Sequence, residues 1–157
     1  MKKFLAVCAI ACMPLTAMAA DAYTVLFKTQ GTFQDVRDSL QFAIEGKGLK
    51  INHTNKIAEM LARTGPEIGA SRQVYVDGEQ FEFCSATVSR KMMEADPNAM
   101  VMCPYIVSVY TVPNDTNVYI AYRKPGPTKN PALKKALADV NATVKGATEK
   151  HAAVVKQ

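Results

Sequence analysis

Between Tyr23 and Thr29 the side chains of Tyr23, Val25 and Phe27 alternate with those of Thr24, Leu26 and Lys28, the period-two pattern of a half-buried strand rich in aromatic and branched residues. Gly31 breaks the pattern, and the period then changes. Thr32 is placed to cap a helix with Asp35 in its first turn, and Phe33, Val36, Leu40, Ala43 and Ile44 recur at helical spacing until Gly46 and Gly48 stop it. A second strand is expected from about Leu49 to Thr54. A short helix from Ile57 to Ala62 follows behind Asn55, and Gly65 and Pro66 end it. The punctuated stretch from Gly65 to Gly78 reads as a loop, with Gln73 to Val76 its one strand-like segment.

Alternation returns from Phe81 to Ala86 as a third strand. Ser85 or Thr87 can cap the helix that follows to Ala95, with Val88, Met92 and Ala95 on one face. Asp96-Pro97-Asn98 predicts a turn. Met100 to Val112 predicts one long strand, apolar on both faces, and Pro113 to Thr116 a hairpin connection to a last strand at Val118 to Arg123. Lys124-Pro125-Gly126-Pro127 cannot continue a strand and reads as a linker. Asn130 and Pro131 then supply the cap and first-turn residue of a terminal helix. In it Leu133, Leu137, Val140, Val144, Ala147, His151 and Val154 repeat at spacings of four and three, an apolar seam that requires a partner surface in its own domain or a second copy.

The N-terminus follows a different grammar. Positive charge at Lys2 and Lys3, an apolar stretch from Phe4 to about Met18, and small residues at Ala17 and Ala19 are the three parts of a secretory signal peptide, with cleavage expected after Ala19. Cys8 and Cys12 lie inside the apolar stretch, too early for lipoprotein processing. Pro14, Thr16 and the polar residues from Asp21 leave the stretch too short to anchor in a membrane, and no later segment reaches the roughly 20 apolar residues of a span. The expected divisions are a signal peptide at 1–19, a domain at 20–124, and a linker with a C-terminal helix at 125–157. The expected compartment is the periplasm or the exterior.

Charge changes the picture only slightly. The net charge of +5 counts Lys2 and Lys3; without them 17 basic groups face 14 acidic ones. From Ala20 to Tyr122 there are 9 basic and 12 acidic residues, and from Arg123 to Gln157 there are 8 basic and 2 acidic. A basic helix face is ordinary solvation or a surface for an acidic partner. Nucleic acid is not an expected partner in this compartment.

The order strand, helix, Gly-containing turn and strand, then a Cys at a strand end, a short helix, a turn and a second Cys, resembles the domain-of-unknown-function 302 family. The resemblance is carried by Phe33 to Gly48, Phe83-Cys84-Ser85, Met92 to Pro97, and Met102 to Tyr110. It covers about Tyr23 to Lys124. The family pattern often places Asn-Pro after its first Cys and Leu-Pro before its second; Ser85-Ala86 and Met102 stand there in this chain. The resemblance implies a two-layer α+β fold, an antiparallel sheet backed by helices in the manner of the TATA-binding-protein-like superfold, and no established activity.

With the signal removed, Cys84 and Cys103 are the remaining cysteines, an even number in an oxidising compartment. A structural disulfide, a redox-responsive pair with Cys84 attacking and Cys103 resolving, and two buried free thiols are all open. The helix start after Cys84 would lower its thiol pKa. A Cu(I) site from Met100, Met102 and Cys103 is a further alternative, since thioether and thiolate suit that ion. It is weakened if Met100 and Met102 share one strand face and Cys103 takes the other. His53 and His151 have neither a paired carboxylate nor zinc-ligand spacing, and no phosphate loop, nucleophile elbow or haem-attachment motif is present. No cofactor is expected. The reading is therefore a self-associating, non-enzymatic periplasmic module for a small ligand or protein partner, with thiol redox chemistry as the alternative.

Overall fold

A computed structural model of the protein describes residues 24–148. The expected signal segment, with Cys8 and Cys12, lies outside the described residues, as do His151 and Val154. In chain order the elements are β1 (Thr24–Thr29), α1 (Phe33–Glu45), β2 (Lys50–Asn55), α2 (Ile57–Thr64), β3 (Gly78–Cys84), α3 (Ala86–Ala95), β4 (Tyr105–Tyr110), β5 (Val118–Arg123) and α4 (Pro131–Thr148). Short 3-10 turns at Pro66–Ile68 and Pro97–Met102 complete the path.

The helix starts are set by short polar side chains. Thr32 Oγ1 accepts from the Asp35 amide at 3.1 Å and donates to the Asp35 carboxylate at 2.7 Å, closing the first turn of α1. Ser85 Oγ accepts from the Val88 amide at the start of α3. Asn130 Oδ1 accepts from the amides of Ala132 and Leu133, while its Nδ2 donates to the Ala95 carbonyl at 2.9 Å, so the cap of α4 is also tied to the end of α3. Between α1 and β2 the chain reverses through Gly48, whose φ of +72° is one that side-chain-bearing residues rarely adopt.

The five strands form one sheet in the order β1-β5-β4-β3-β2, and every neighbouring pair is antiparallel. Alternation places Phe27, Phe81, Phe83, Tyr105, Val107, Val109, Val118, Ile120 and Tyr122 on one face. There they meet Val36, Leu40 and Ile44 of α1, Met92 of α3, and Leu133, Leu137, Val140, Val144 and Ala147 of α4 in a single core. This is the two-layer α+β arrangement expected, with α3 and α1 as the surface against which the α4 seam packs. At about 1.5–3 kcal/mol for each fully buried Leu or Val, the seam contributes an amount comparable with the whole 5–15 kcal/mol stability of an ordinary domain. α4 is thus part of the fold.

Two expected strands are corrected. β3 runs from Gly78 to Cys84, three residues earlier than the alternation indicated, because Ser85 leaves the ladder to cap α3. The long strand expected from Met100 to Val112 is confined to Tyr105–Tyr110. Asp96 Oδ1 accepts from the Asn98 amide at 2.9 Å, Pro97 fits the first position of a turn, and the chain coils as a 3-10 helix to Met102. Pro104 has no N–H for the ladder, so pairing begins after it. Nor is β4 apolar on both faces: Tyr105, Val107 and Val109 are buried, while Ile106, Ser108 and Tyr110 lie on the other side of the sheet and are only partly covered.

Candidate functional site

The face of the sheet opposite α1, α3 and α4 carries Gln80 on β3, Ile106, Ser108 and Tyr110 on β4, and Tyr119 and Ala121 on β5. Two hollows lie along it. One, of about 220 Å³, is bordered by Ile57, Tyr75, Gly78, Gln80, Ser108, Tyr110 and Ala121. The other, of about 260 Å³, is bordered by Gln80, Met102, Pro104, Tyr105, Ile106, Ser108, Ala121, Arg123, Val140 and Val144. Gln80, Ser108 and Ala121 line both, so the two are one trough with a shared floor. Gln80 Nε2 donates to Ser108 Oγ at 3.1 Å across that floor. Ala121 leaves the space, for its neighbours on this face, Tyr119 and Arg123, are large.

One end of the trough is aromatic. Tyr110 stacks on Tyr119 with centroids 5.2 Å apart, and Tyr75 meets Tyr110 edge-on at 5.3 Å. Burial pushes the Tyr110 phenol above its ordinary range. Lys28 Nζ lies 5.3 Å from the Tyr119 ring centroid, and the Tyr119 hydroxyl donates to Asp115. At the other end the β4–β5 ladder stops at Val107 and Tyr122, although the same register would set Ile106 against Arg123. β3 continues to pair with β4 as far as Tyr105, and β1 with β5 as far as Arg123. The sheet therefore has a notch between β4 and β5, with Val140 and Val144 of α4 beneath it.

The cysteines adjoin this notch. Cys84 ends β3, Cys103 follows the 3-10 turn, and their thiols are in hydrogen-bonding contact without being bonded. Ser89, buried one turn into α3, lies 3.7 Å from Cys103 Sγ and 3.2 Å from the Tyr105 hydroxyl. The reduced Cys84 thiol is pushed up to about 11, first by burial and then by the Cys103 thiol, so the helix start does not produce the lowered pKa expected of that position. Burial likewise raises the Tyr105 phenol. Met102 and Pro104, the two neighbours of Cys103, and Tyr105 are also walls of the larger hollow.

The fold agrees with the comparisons with known proteins. The sequence profile described as "Domain of unknown function DUF302" matches residues 25–151. The chain belongs to the DUF302 family. A crystal structure of an uncharacterized conserved DUF302 protein from Bacillus stearothermophilus superposes with a TM-score of 0.69 at 16% identity, covering 82% of this chain and 97% of that one. At that identity the likeness is one of fold. No curated protein matches the chain. The DUF302 match runs past residue 124 and includes α4, in keeping with the packing of its seam.

Of the residues proposed for a soft-metal site in this DUF302 chain, Met100 is 65% exposed, while Met102 and Cys103 are partly buried against the core. Met100 and Met102 belong to the 3-10 turn and not to a strand, so the expected division of Met100 and Met102 from Cys103 by strand face does not occur. Among the described residues no three His, Cys, Asp or Glu side chains are grouped to hold a metal ion. His53 is exposed on β2. Sequence reasoning did not find Gln80, Ser89, Ser108, Ala121 or Arg123. The polar Gln80 and Ser108 and the small Ala121, all on the non-core phase of their strands, were the available signal for the trough.

Proposed function

We propose that this DUF302 protein is an exported, periplasmic binding module that holds a small ligand in the trough on the open sheet face and catalyses no reaction of its own. The observation that carries the reading is the notch: a hollow at an interrupted strand pair, apolar beneath and with a few polar groups above, the composition of a small-molecule site. Export is supported by Lys2, Lys3, the apolar run and Ala17 and Ala19. The seam from Leu133 to Ala147 packs within its own chain, so any self-association would use another surface. Fusion of residues 1–30 to a reporter that is active only outside the cytoplasm tests export; an inactive, uncleaved fusion contradicts it. Native mass spectrometry of the protein released from the periplasm tests binding, with a displaceable small-molecule adduct expected. A chain that carries no adduct and shows no thermal shift with small amphipathic compounds contradicts the binding reading.

The contact between Cys84 and Cys103 favours a second reading, reversible disulfide formation. One thiolate attacks a disulfide-bearing donor, the other resolves the mixed disulfide, and the donor leaves as two thiols while the protein loses two protons and two electrons. The high pKa of Cys84 makes it a slow attacker at neutral pH. A potential well above about −300 mV supports a redox role, and a bridge that glutathione cannot open reduces the pair to a structural staple.

A further inference from the structure

We propose that the notch between β4 and β5 binds an amphipathic monoanion, a carboxylate on a compact hydrocarbon body, with Arg123 as its charge partner. The proposal rests on the binding reading above and adds the chemistry of the occupant. Where the β4–β5 ladder stops, Ile106 and Arg123 stand on opposite lips of the gap. Below them Val140 and Val144 form an apolar base, with Met102 and Pro104 on one side. A hydrocarbon seated there covers this apolar base while its outer side stays open to water, and the gain grows with the apolar area covered.

Arg123 supplies the sign of the head group. It is the one residue with a formal charge lining this hollow, and it makes no ion pair among the described residues. Among the described residues no carboxylate lines the hollow to receive a cation. The guanidinium is exposed at the rim, so a carboxylate paired with it keeps part of its hydration while the tail enters the gap; a planar two-point pairing of this kind is what arginine favours. Size follows from volume. At about 30 Å³ for each water displaced, 260 Å³ corresponds to roughly nine non-hydrogen atoms, the scale of a medium-chain or single-ring carboxylate.

The test is calorimetric titration of the mature chain with octanoate, octanol, octylammonium and acetate. Octanoate is expected to bind about ten times more tightly than octanol and octylammonium, and acetate not at all. Arg123→Gln should bring octanoate down to the octanol level and leave octanol unchanged, and Arg123→Lys should restore part of the difference. Ala121→Phe, which fills the shared floor, should weaken octanoate and octanol together, with circular dichroism confirming that all three variants fold. Equal binding of octanoate and octanol, or an Arg123→Gln protein indistinguishable from the parent, overturns the anion assignment and leaves the hollow as a site for neutral molecules. Failure of every eight-carbon probe overturns this proposal; the binding reading falls with it only if the protein released from the periplasm also carries no adduct.

Discussion

Oxidation of the Cys84–Cys103 pair is expected to stabilise the domain strongly. The two thiols are neighbours that interact across the end of β3 and the turn before β4, so they are placed to be bridged. The bridge closes a loop of about 20 residues, and the chain-entropy relation then predicts about 3 kcal/mol of stabilisation through the restricted unfolded chain. For a domain of this size roughly 3–4 °C accompanies each kcal/mol, so the melting temperature should rise by about 10 °C. The assay is calorimetry of the mature protein after oxidised glutathione or after dithiothreitol, with the Cys84→Ser, Cys103→Ser double variant as the redox-insensitive control. pH sharpens it. Because the folded reduced Cys84 titrates near 11, above an ordinary cysteine, its favourable contribution is complete below about pH 9 and is lost as pH rises toward 11. The gap between oxidised and reduced melting temperatures should therefore widen across that window. Alkylation of Cys84 by iodoacetamide should be slow at pH 8 and accelerate about tenfold per pH unit until near 11. Equal melting temperatures in the two redox states, with both cysteines still alkylatable after oxidant treatment, would refute the reasoning.

Three further outcomes follow from the packing and the polar contacts. Leu137→Ala, at a buried α4 position, should cost about 2–4 kcal/mol in urea unfolding, and a chain ending at residue 124 should show no cooperative transition; a stable truncated domain would show that α4 is dispensable. The Asp115 carboxylate, held down at about 2 by the Tyr119 hydroxyl and then by Asn117, should titrate there by carbon-detected NMR and move toward 3.8 in Tyr119→Phe. Its stabilising effect is present above about pH 4 and lost as pH falls toward 2, so an unmoved titration in the variant would contradict the assignment. Asn141 has a buried Oδ1 with no hydrogen-bond partner among the described residues, and Asn141→Ala should raise the melting temperature by a few degrees; a fall would mean that the oxygen has a partner in solution.

Where period, cap and breaker agree, the sequence was legible. Thr32 with Asp35, Ser85, and Asn130 with Pro131 cap the helices they were expected to cap, and Val36, Leu40 and Ile44 of α1 and Leu133, Leu137, Val140, Val144 and Ala147 of α4 are buried as their spacing indicated. The segment from Met100 to Tyr105 was misread because apolar composition does not separate a buried strand from a tight coil, and the signals at Asp96, Pro97 and Pro104 act on the backbone. The thiol environment was misread for another reason. Adjacency to a helix start is local, whereas the burial and the Cys103 contact that raise Cys84 come from a segment 19 positions away. The trough depends on where a ladder stops, a property of strand pairing that alternation along one strand does not carry.

The central claim, that the trough between Gln80, Ser108 and Arg123 is a ligand site, is tested most directly by amide chemical-shift mapping of the isotope-labelled mature protein during an octanoate titration. Saturable shifts centred on Ile106, Ser108, Ala121 and Arg123, with smaller ones at Val140 and Val144, are the predicted result. Shifts that do not saturate, or that centre on residues away from the notch, would contradict it.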